Sequence, residues 1–162
     1  MSRSVVATLA GLAAVVMVCS CGQPLVESGY LRSGDAPAPG RYVFDLNLTD
    51  SLSTYTLSFY SVMDRAESSC PVPGIALEIG LVSPSGQKFG ETLGLPSDRW
   101  RKEGKMQAVL REVYRDGFVP SEYGVWKMEI NVSPACEGLC GMGYELKRNR
   151  NGKGQTQEIQ GK

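Results

Sequence analysis

The sequence of 162 residues contains no histidine, which removes the most common general base of enzymes. Without it, neither a Ser-His-Asp nor a Cys-His arrangement can be built. The charge is balanced, with 17 basic and 17 acidic residues, so a broad basic surface for nucleic acid is not expected. The acidic residues occur singly, as on solvated strand faces. We therefore expect a protein without enzymatic activity, cofactor or nucleic-acid partner.

The N-terminal apolar stretch is too short for a transmembrane helix, which needs about 20 apolar residues. It runs from Val5 to Val18, after the single cation Arg3 and before small residues. This order is typical of a secretory signal peptide. The stretch ends in Val-Cys-Ser-Cys, which fits the lipobox of bacterial lipoproteins, where the last cysteine receives the lipid. We expect residues 1–20 to be removed and Cys21 to be attached to membrane lipid.

The mature chain divides into three parts by composition. Residues 21–40 are rich in Pro, Gly, Ser and Ala, which predicts a flexible tether that reaches up to about 60 Å when extended. Residues 148–162 are polar and without periodicity, which predicts a disordered tail. Residues 41–147 have the size of one ordinary domain.

This domain is predicted to be all-β. Four runs alternate cleanly between apolar and polar residues, at 42–48, 55–59, 75–81 and 126–132. Weaker runs begin at 87, 109 and 142, and the turn Ser83-Pro84-Ser85-Gly86 is typical of a hairpin. Residues 96–108 break the pattern and are expected to form a long loop, with at most one helical turn. These features predict an antiparallel β-sandwich of about seven strands, immunoglobulin-like or jelly-roll-like.

Three cysteines remain beyond the lipobox: Cys70, Cys136 and Cys140. An odd number allows one bridge at most within the domain. If successive strands run up and down, the loop with Cys70 lies at the same end as the other two. A bridge from Cys70 to one of them closes a loop of about 65–70 residues and stabilises by roughly 4 kcal/mol. We favour it over a local Cys136–Cys140 bridge. A structural zinc site needs four Cys or His ligands, and three thiols without a histidine do not supply them, so no metal is expected.

Trp100 is the candidate for a partner contact. It lies in the irregular segment beside Arg99 and Arg101, without an apolar residue at strand spacing. An exposed Trp flanked by Arg suits a protein contact or a sugar ring. We favour the other interpretation, in which Trp100 folds back and covers the open edge of the sandwich, because large aromatic side chains are usually mostly buried. Trp126 differs, because it alternates in phase with Met128 and is predicted to be core.

Five motifs follow one another along the domain. They are TYTLSFYSVMDR, IALEIGLVSPSGQKFGETL, a loop with Trp100 and Gly104, DGFVPSEYGVWKMEI and LCGMGYELKR, with particular positions at Arg65, Pro84, Gly86, Thr92, Leu93, Phe118, Gly124, Gly143 and Leu146. In this order they resemble the gliding-motility lipoprotein family of the GldH type, found in Bacteroidetes. Two positions depart from the family pattern. Glu91 replaces an aspartate, and a segment with Cys70 replaces a Tyr-Pro-Phe loop.

The resemblance implies an outer-membrane-associated, non-catalytic component of gliding motility or of the associated protein secretion machinery. It implies no active site. We therefore expect a lipoprotein that supports an envelope assembly through protein partners that the sequence does not identify. The alternative function is a carbohydrate-binding module that uses exposed aromatic residues. Because no acidic cluster follows Cys21, we expect the periplasmic face of the outer membrane.

Overall fold

The computed structural model describes residues 25–65 and 74–150, which form two antiparallel sheets packed into a sandwich. The nine strands are β1 (Leu25–Arg32), β2 (Arg41–Leu48), β3 (Ser53–Asp64), β4 (Gly74–Val82), β5 (Lys88–Pro96), β6 (Arg101–Glu103), β7 (Gln107–Phe118), β8 (Gly124–Ser133) and β9 (Leu139–Arg150). One sheet has the order β1-β9-β3-β7-β6 and the other β2-β8-β4-β5. The predicted all-β antiparallel sandwich is confirmed, with nine strands where the sequence suggested about seven.

The core lies between the two sheets. Along β3, every second residue is buried, because side chains alternate between the two faces of a strand. β2 and β8 contribute the facing side chains in the same way. Trp126 is only 7% exposed, which confirms its predicted place in the core.

The predicted hairpin joins β4 to β5. The backbone N–H of Gly86 donates to the carbonyl of Ser83 at 2.9 Å, and Gly86 has φ 89°. A left-handed backbone of this kind favours glycine. The turn therefore forms where the Pro-x-Gly pattern placed it.

The prediction of a flexible tether over residues 21–40 is wrong from Leu25 onward. Leu25–Arg32 forms β1, which pairs with β9 along its whole length, and a short 3-10 helix follows at Ser33–Asp35. β1 was missed because none of its side chains is fully buried. It is held by backbone pairing at the edge of its sheet, which leaves little trace in apolar patterning.

Two other boundaries differ from the sequence prediction. The expected loop at 96–108 contains a 3-10 turn at Ser97–Arg99, the short strand β6 and the first residues of β7. β6 has three exposed residues, too few for alternation to be visible. At the C-terminal end, β9 continues to Arg150, so the predicted disordered tail begins no earlier than residue 151; residues 151–162 lie outside the described part.

The sandwich has two ends, which we call the N-terminal pole and the opposite pole. The N-terminal pole holds the start of β1, the turns at 49–52 and 83–87, and the loop at 119–123, as the pairings Leu25↔Arg148 and Leu48↔Gly124 show. At the opposite pole, the N–H of Asp64 donates to Gly138 O at 2.7 Å. The described residues that flank 66–73 therefore lie beside the β8–β9 connection, as expected from alternating strand directions.

Candidate functional site

A groove opens between the two sheets on the side formed by β5 and β7. Its volume is about 570 Å³, within the range of small-ligand pockets. We call it the side groove. The apolar lining consists of Leu46, Leu48, Leu57, Ile79, Leu81, Phe89, Phe118, Val119, Pro120 and Trp126, and the polar lining includes Glu91, Tyr114, Arg115 and Ser121.

The side groove is open because, within residues 25–65 and 74–150, no strand closes this side along its full length. β6 pairs only with Gln107, Ala108 and Val109 of β7. Among the described residues, the rest of β7 pairs with β3 alone, and β5 pairs with β4 alone. Two strand edges that pair with no further described strand therefore border the groove, one in each sheet.

The part of this side nearer the opposite pole is covered by the segment around Trp100. Trp100 is half-buried and packs against the core, while Arg99 forms an ion pair with Glu112 of β7 at 3.3 Å. Arg101 is exposed in β6. Trp100 thus folds back onto the sandwich, as the favoured interpretation predicted. A partner contact through these residues stays a prediction, and so does carbohydrate binding.

An ion pair spans the mouth of the side groove. Glu91 on β5 contacts Arg115 on β7, with the two side chains 40% and 55% exposed. An ion pair this exposed contributes at most about 1 kcal/mol. It connects the two strand edges, but an incoming ligand could separate it at little cost.

Tyr114 stands beside this ion pair. Its ring lies 5.1 Å from the guanidinium of Arg115 and 5.0 Å from the ring of Phe59. Burial, followed by the neighbouring Glu91, raises the pKa of Tyr114 to about 12. Tyr114 is therefore a neutral phenol near neutral pH.

Aromatic rings form the apolar part of the mouth. Phe89 is 46% exposed, and its ring centroid is 5.8 Å from that of Trp126. The indole N–H of Trp126 donates to Glu122 O at 2.9 Å, so its polar atom is satisfied within the protein. The faces that remain toward the groove are apolar.

The rim loop at 119–123 is fixed by hydrogen bonds to the β4–β5 turn. The hydroxyl groups of Ser83 and Ser85 donate to Glu122 Oε1 at 2.9 and 2.6 Å, and the N–H of Ser85 donates to Oε2 at 3.0 Å. These donors, with that of Ser85 first, lower the pKa of Glu122. The groove is therefore largely preformed, as ligand sites usually are.

The side groove combines apolar and polar groups that could contact a ligand. Its lining offers an apolar surface, one phenol and one ion pair. Within residues 25–65 and 74–150, no group of His, Cys, Asp and Glu side chains is arranged to hold a metal ion. In the same part of the chain, no helix is long and apolar enough to cross a membrane.

The cysteines lie away from the groove. Cys136 is disulfide-bonded, whereas Cys140 is a free, half-buried thiol, so the local Cys136–Cys140 bridge does not form. Cys21 and Cys70 lie outside the described residues. Lipidation of Cys21 and the bridge from Cys70 stay predictions.

Sequence reasoning missed the side groove. The one available signal was the poor alternation of the fourth run, where Phe89 and Glu91 point toward the interior at the edge of a sheet. A charged residue facing inward is typical of edge strands. Arg115, from the other sheet, could not be connected with Glu91 without the fold.

Comparison with known proteins identifies no family. No protein-family model matches the chain, and no curated protein matches it. The solved structures that match include dimeric latent PorU from Porphyromonas gingivalis, at 11% sequence identity and a TM-score of 0.38. The match covers 78% of this chain but only 13% of the PorU chain. A likeness at this level supports no inference about function, and the GldH-type resemblance stays a prediction.

Proposed function

We propose that this protein is a lipid-anchored, non-catalytic β-sandwich that binds an extended, apolar segment of an envelope protein in its side groove. The observation that carries the proposal is the combination of an apolar groove with two unpaired strand edges. The anchor is Cys21, and the location is the periplasmic face of the outer membrane, as the sequence predicts. In this role the protein would support an envelope assembly in gliding motility or protein secretion.

An extended peptide fits the groove better than a compact ligand does. The edges of β5 and β7 present backbone donors and acceptors at strand spacing, and a peptide added to an edge satisfies them. Its alternate side chains then point between the sheets. There they would meet Phe89, Phe118 and Trp126, so apolar residues at every second position are favoured.

The ion pair at the mouth of the groove can open to admit the peptide. The Glu91–Arg115 ion pair holds the edges together weakly, so binding can exchange it for contacts with the peptide. Until then the inward-facing charge keeps the edge of β5 from pairing with unrelated strands. A groove whose edges are joined by a weak ion pair suits an assembly contact that forms only with the right partner.

A photocrosslinker in the groove tests the proposal. Phe89 is replaced by p-benzoylphenylalanine in the lipidated protein in its native envelope. We expect a discrete crosslinked protein, with the attachment mapped by mass spectrometry to a segment that is apolar at alternate positions.

The matched control places the same crosslinker at Val113. This residue is also exposed and lies on β7, but it does not line the groove. Equal crosslinking from both positions, or a crosslinked site within a folded surface rather than an extended segment, would contradict groove binding.

A further inference from the structure

The N-terminal pole collects most of the exposed apolar side chains. Among the described residues, ten large hydrophobic side chains are exposed. Scattered singly, such residues need no explanation. Six of the ten, however, lie at this one end: Leu25, Val26, Leu52, Val119, Tyr123 and Val125. An apolar cluster of this kind marks an interaction surface.

The predicted lipid anchor precedes β1 and would approach the domain at this same end. Only four residue steps separate Cys21 from Leu25, a distance of at most about 14 Å when extended. Leu25 pairs with Arg148, beside the turn that carries Leu52. A lipid on Cys21 would therefore hold this pole, and not the opposite one, close to the bilayer.

Two carboxylates of this pole, those of Asp50 and Glu122, accept hydrogen bonds from donors within the protein. Asp50 accepts from the N–H of Leu52 at 2.9 Å and forms an ion pair with Arg148 at 3.3 Å. Glu122 is bound by Ser83 and Ser85, as described above. Both acids are therefore occupied within the fold, which reduces repulsion from anionic lipid.

The turn that carries Leu52 is also ordered. The Asp50 carboxylate accepts from the hydroxyl of Ser53 at 3.0 Å, and the N–H of Asp50 donates to the Tyr55 hydroxyl at 2.8 Å. Leu52, at 80% exposure the most exposed of the ten, is thus presented on a fixed turn. Leucine and tyrosine at such positions are typical of the membrane interface.

We infer that the N-terminal pole rests on the lipid bilayer, with Leu52 and Tyr123 inserted at the interface. The inference rests on the proposed lipid anchor and adds to it a fixed orientation. The lipid holds the domain at the membrane, and contact of the apolar pole with the bilayer fixes the orientation of the domain. The side groove then opens on the flank of the sandwich, next to the membrane surface.

Depth-dependent fluorescence quenching tests this orientation. The lipidated protein carrying Leu52→Trp is reconstituted in vesicles of phosphatidylethanolamine and phosphatidylglycerol, with and without brominated acyl chains. The unsubstituted protein supplies the background of Trp100 and Trp126. We expect the additional emission to be blue-shifted and to lose roughly half its intensity with brominated lipid, as for an interfacial side chain.

The matched control is Met106→Trp. Met106 is 59% exposed and lies in the turn before β7, at the opposite pole. Its added emission should not be quenched. Quenching of both tryptophans would mean that the molecule lies on its side, and emission of Leu52→Trp that depends on protein concentration without vesicles would indicate self-association. Either result overturns the inference.

Flotation of the same vesicles separates the two proposals. Protein that floats with the vesicles without quenching of Leu52→Trp retains the anchor but refutes the orientation. Protein that does not float refutes the anchor, and with it the orientation that depends on it.

Discussion

Tyr114 shows how burial and charge act together on one residue of the side groove. Its pKa is raised to about 12, above the ordinary tyrosine pKa of about 10. The folded protein therefore keeps a proton that the unfolded chain releases above pH 10. The stability gained in this way is complete below about pH 10 and is lost as the pH rises toward 12.

Tyr114→Phe should reduce this alkaline loss. We expect the urea midpoint of the unsubstituted protein to fall as the pH is raised from about 10 to about 12. The variant should fall less over the same range. Part of the loss should remain, because burial also raises the pKa of Tyr30 to about 12 and that of Tyr144. An identical decrease in both proteins would show that Tyr114 does not titrate as described.

The two described cysteines offer a matched pair of substitutions. Cys136→Ser removes a disulfide and should lower the free energy of unfolding by about 4 kcal/mol if the closed loop is the long one. Cys140→Ser removes a free thiol and should change it by no more than about 0.5 kcal/mol. Denaturant titration of the non-reduced proteins measures both.

The same proteins also test the partner of Cys136. With the bridge to Cys70, Cys70→Ser should match Cys136→Ser in stability and expose one additional reactive thiol. If Cys70→Ser leaves the thiol count lower and the stability unchanged, the predicted bridge is wrong.

At the scale of elements, the sequence identifies strands that bury one face. β2, β3, β4 and β8 follow the period of two and lie close to their predicted places. β1 was not predicted because it is held by pairing with β9, and this pairing depends on the close approach that glycine in β9 allows. A Cβ at Gly143 would lie 2.6 Å from Gly29 O, so this close pairing requires glycine in β9.

Gly29 tests the contribution of β1. A Cβ at this position would lie 2.7 Å from the ring of Tyr144, whose hydroxyl is fixed by Glu27 and by the carbonyl of Asp45, both at 2.9 Å. Gly29→Ala should therefore cost about 1–3 kcal/mol of stability by overpacking, measured by thermal or urea unfolding.

Gly34 provides the control for this substitution. It lies in the 3-10 turn after β1, and a Cβ there would have no neighbour within 4 Å. Gly34→Ala should leave stability within about 0.5 kcal/mol. Equal effects of the two substitutions would argue that β1 is not packed on the sandwich as described.

The side groove depends on long-range topology and could not be predicted from local pattern. Glu91 and Arg115 belong to different sheets, and only the fold places them together. The gap between β5 and β7 exists because β6 is three residues long. The sequence of a single segment does not show whether a strand will be too short to close a sandwich.

For the whole molecule, β1 limits how far the domain could move from the proposed lipid anchor. A tether from residue 21 to 40 would let the domain move far from the membrane. With β1 beginning at Leu25, the distance from Cys21 is at most about 14 Å. In the proposed lipoprotein, the sandwich would therefore be held at the membrane, with its N-terminal pole facing the lipid and its side groove available to a neighbouring envelope protein.

The most direct test of this account is the intact mass and location of the protein from its native envelope, compared with Cys21→Ala. The account predicts a mature chain that begins at Cys21, carries fatty-acyl mass and floats with the outer membrane. It predicts that the Cys21→Ala protein is released from that fraction. A mature chain without acyl mass, or a Cys21→Ala protein retained as fully as the unsubstituted one, would contradict the central claim.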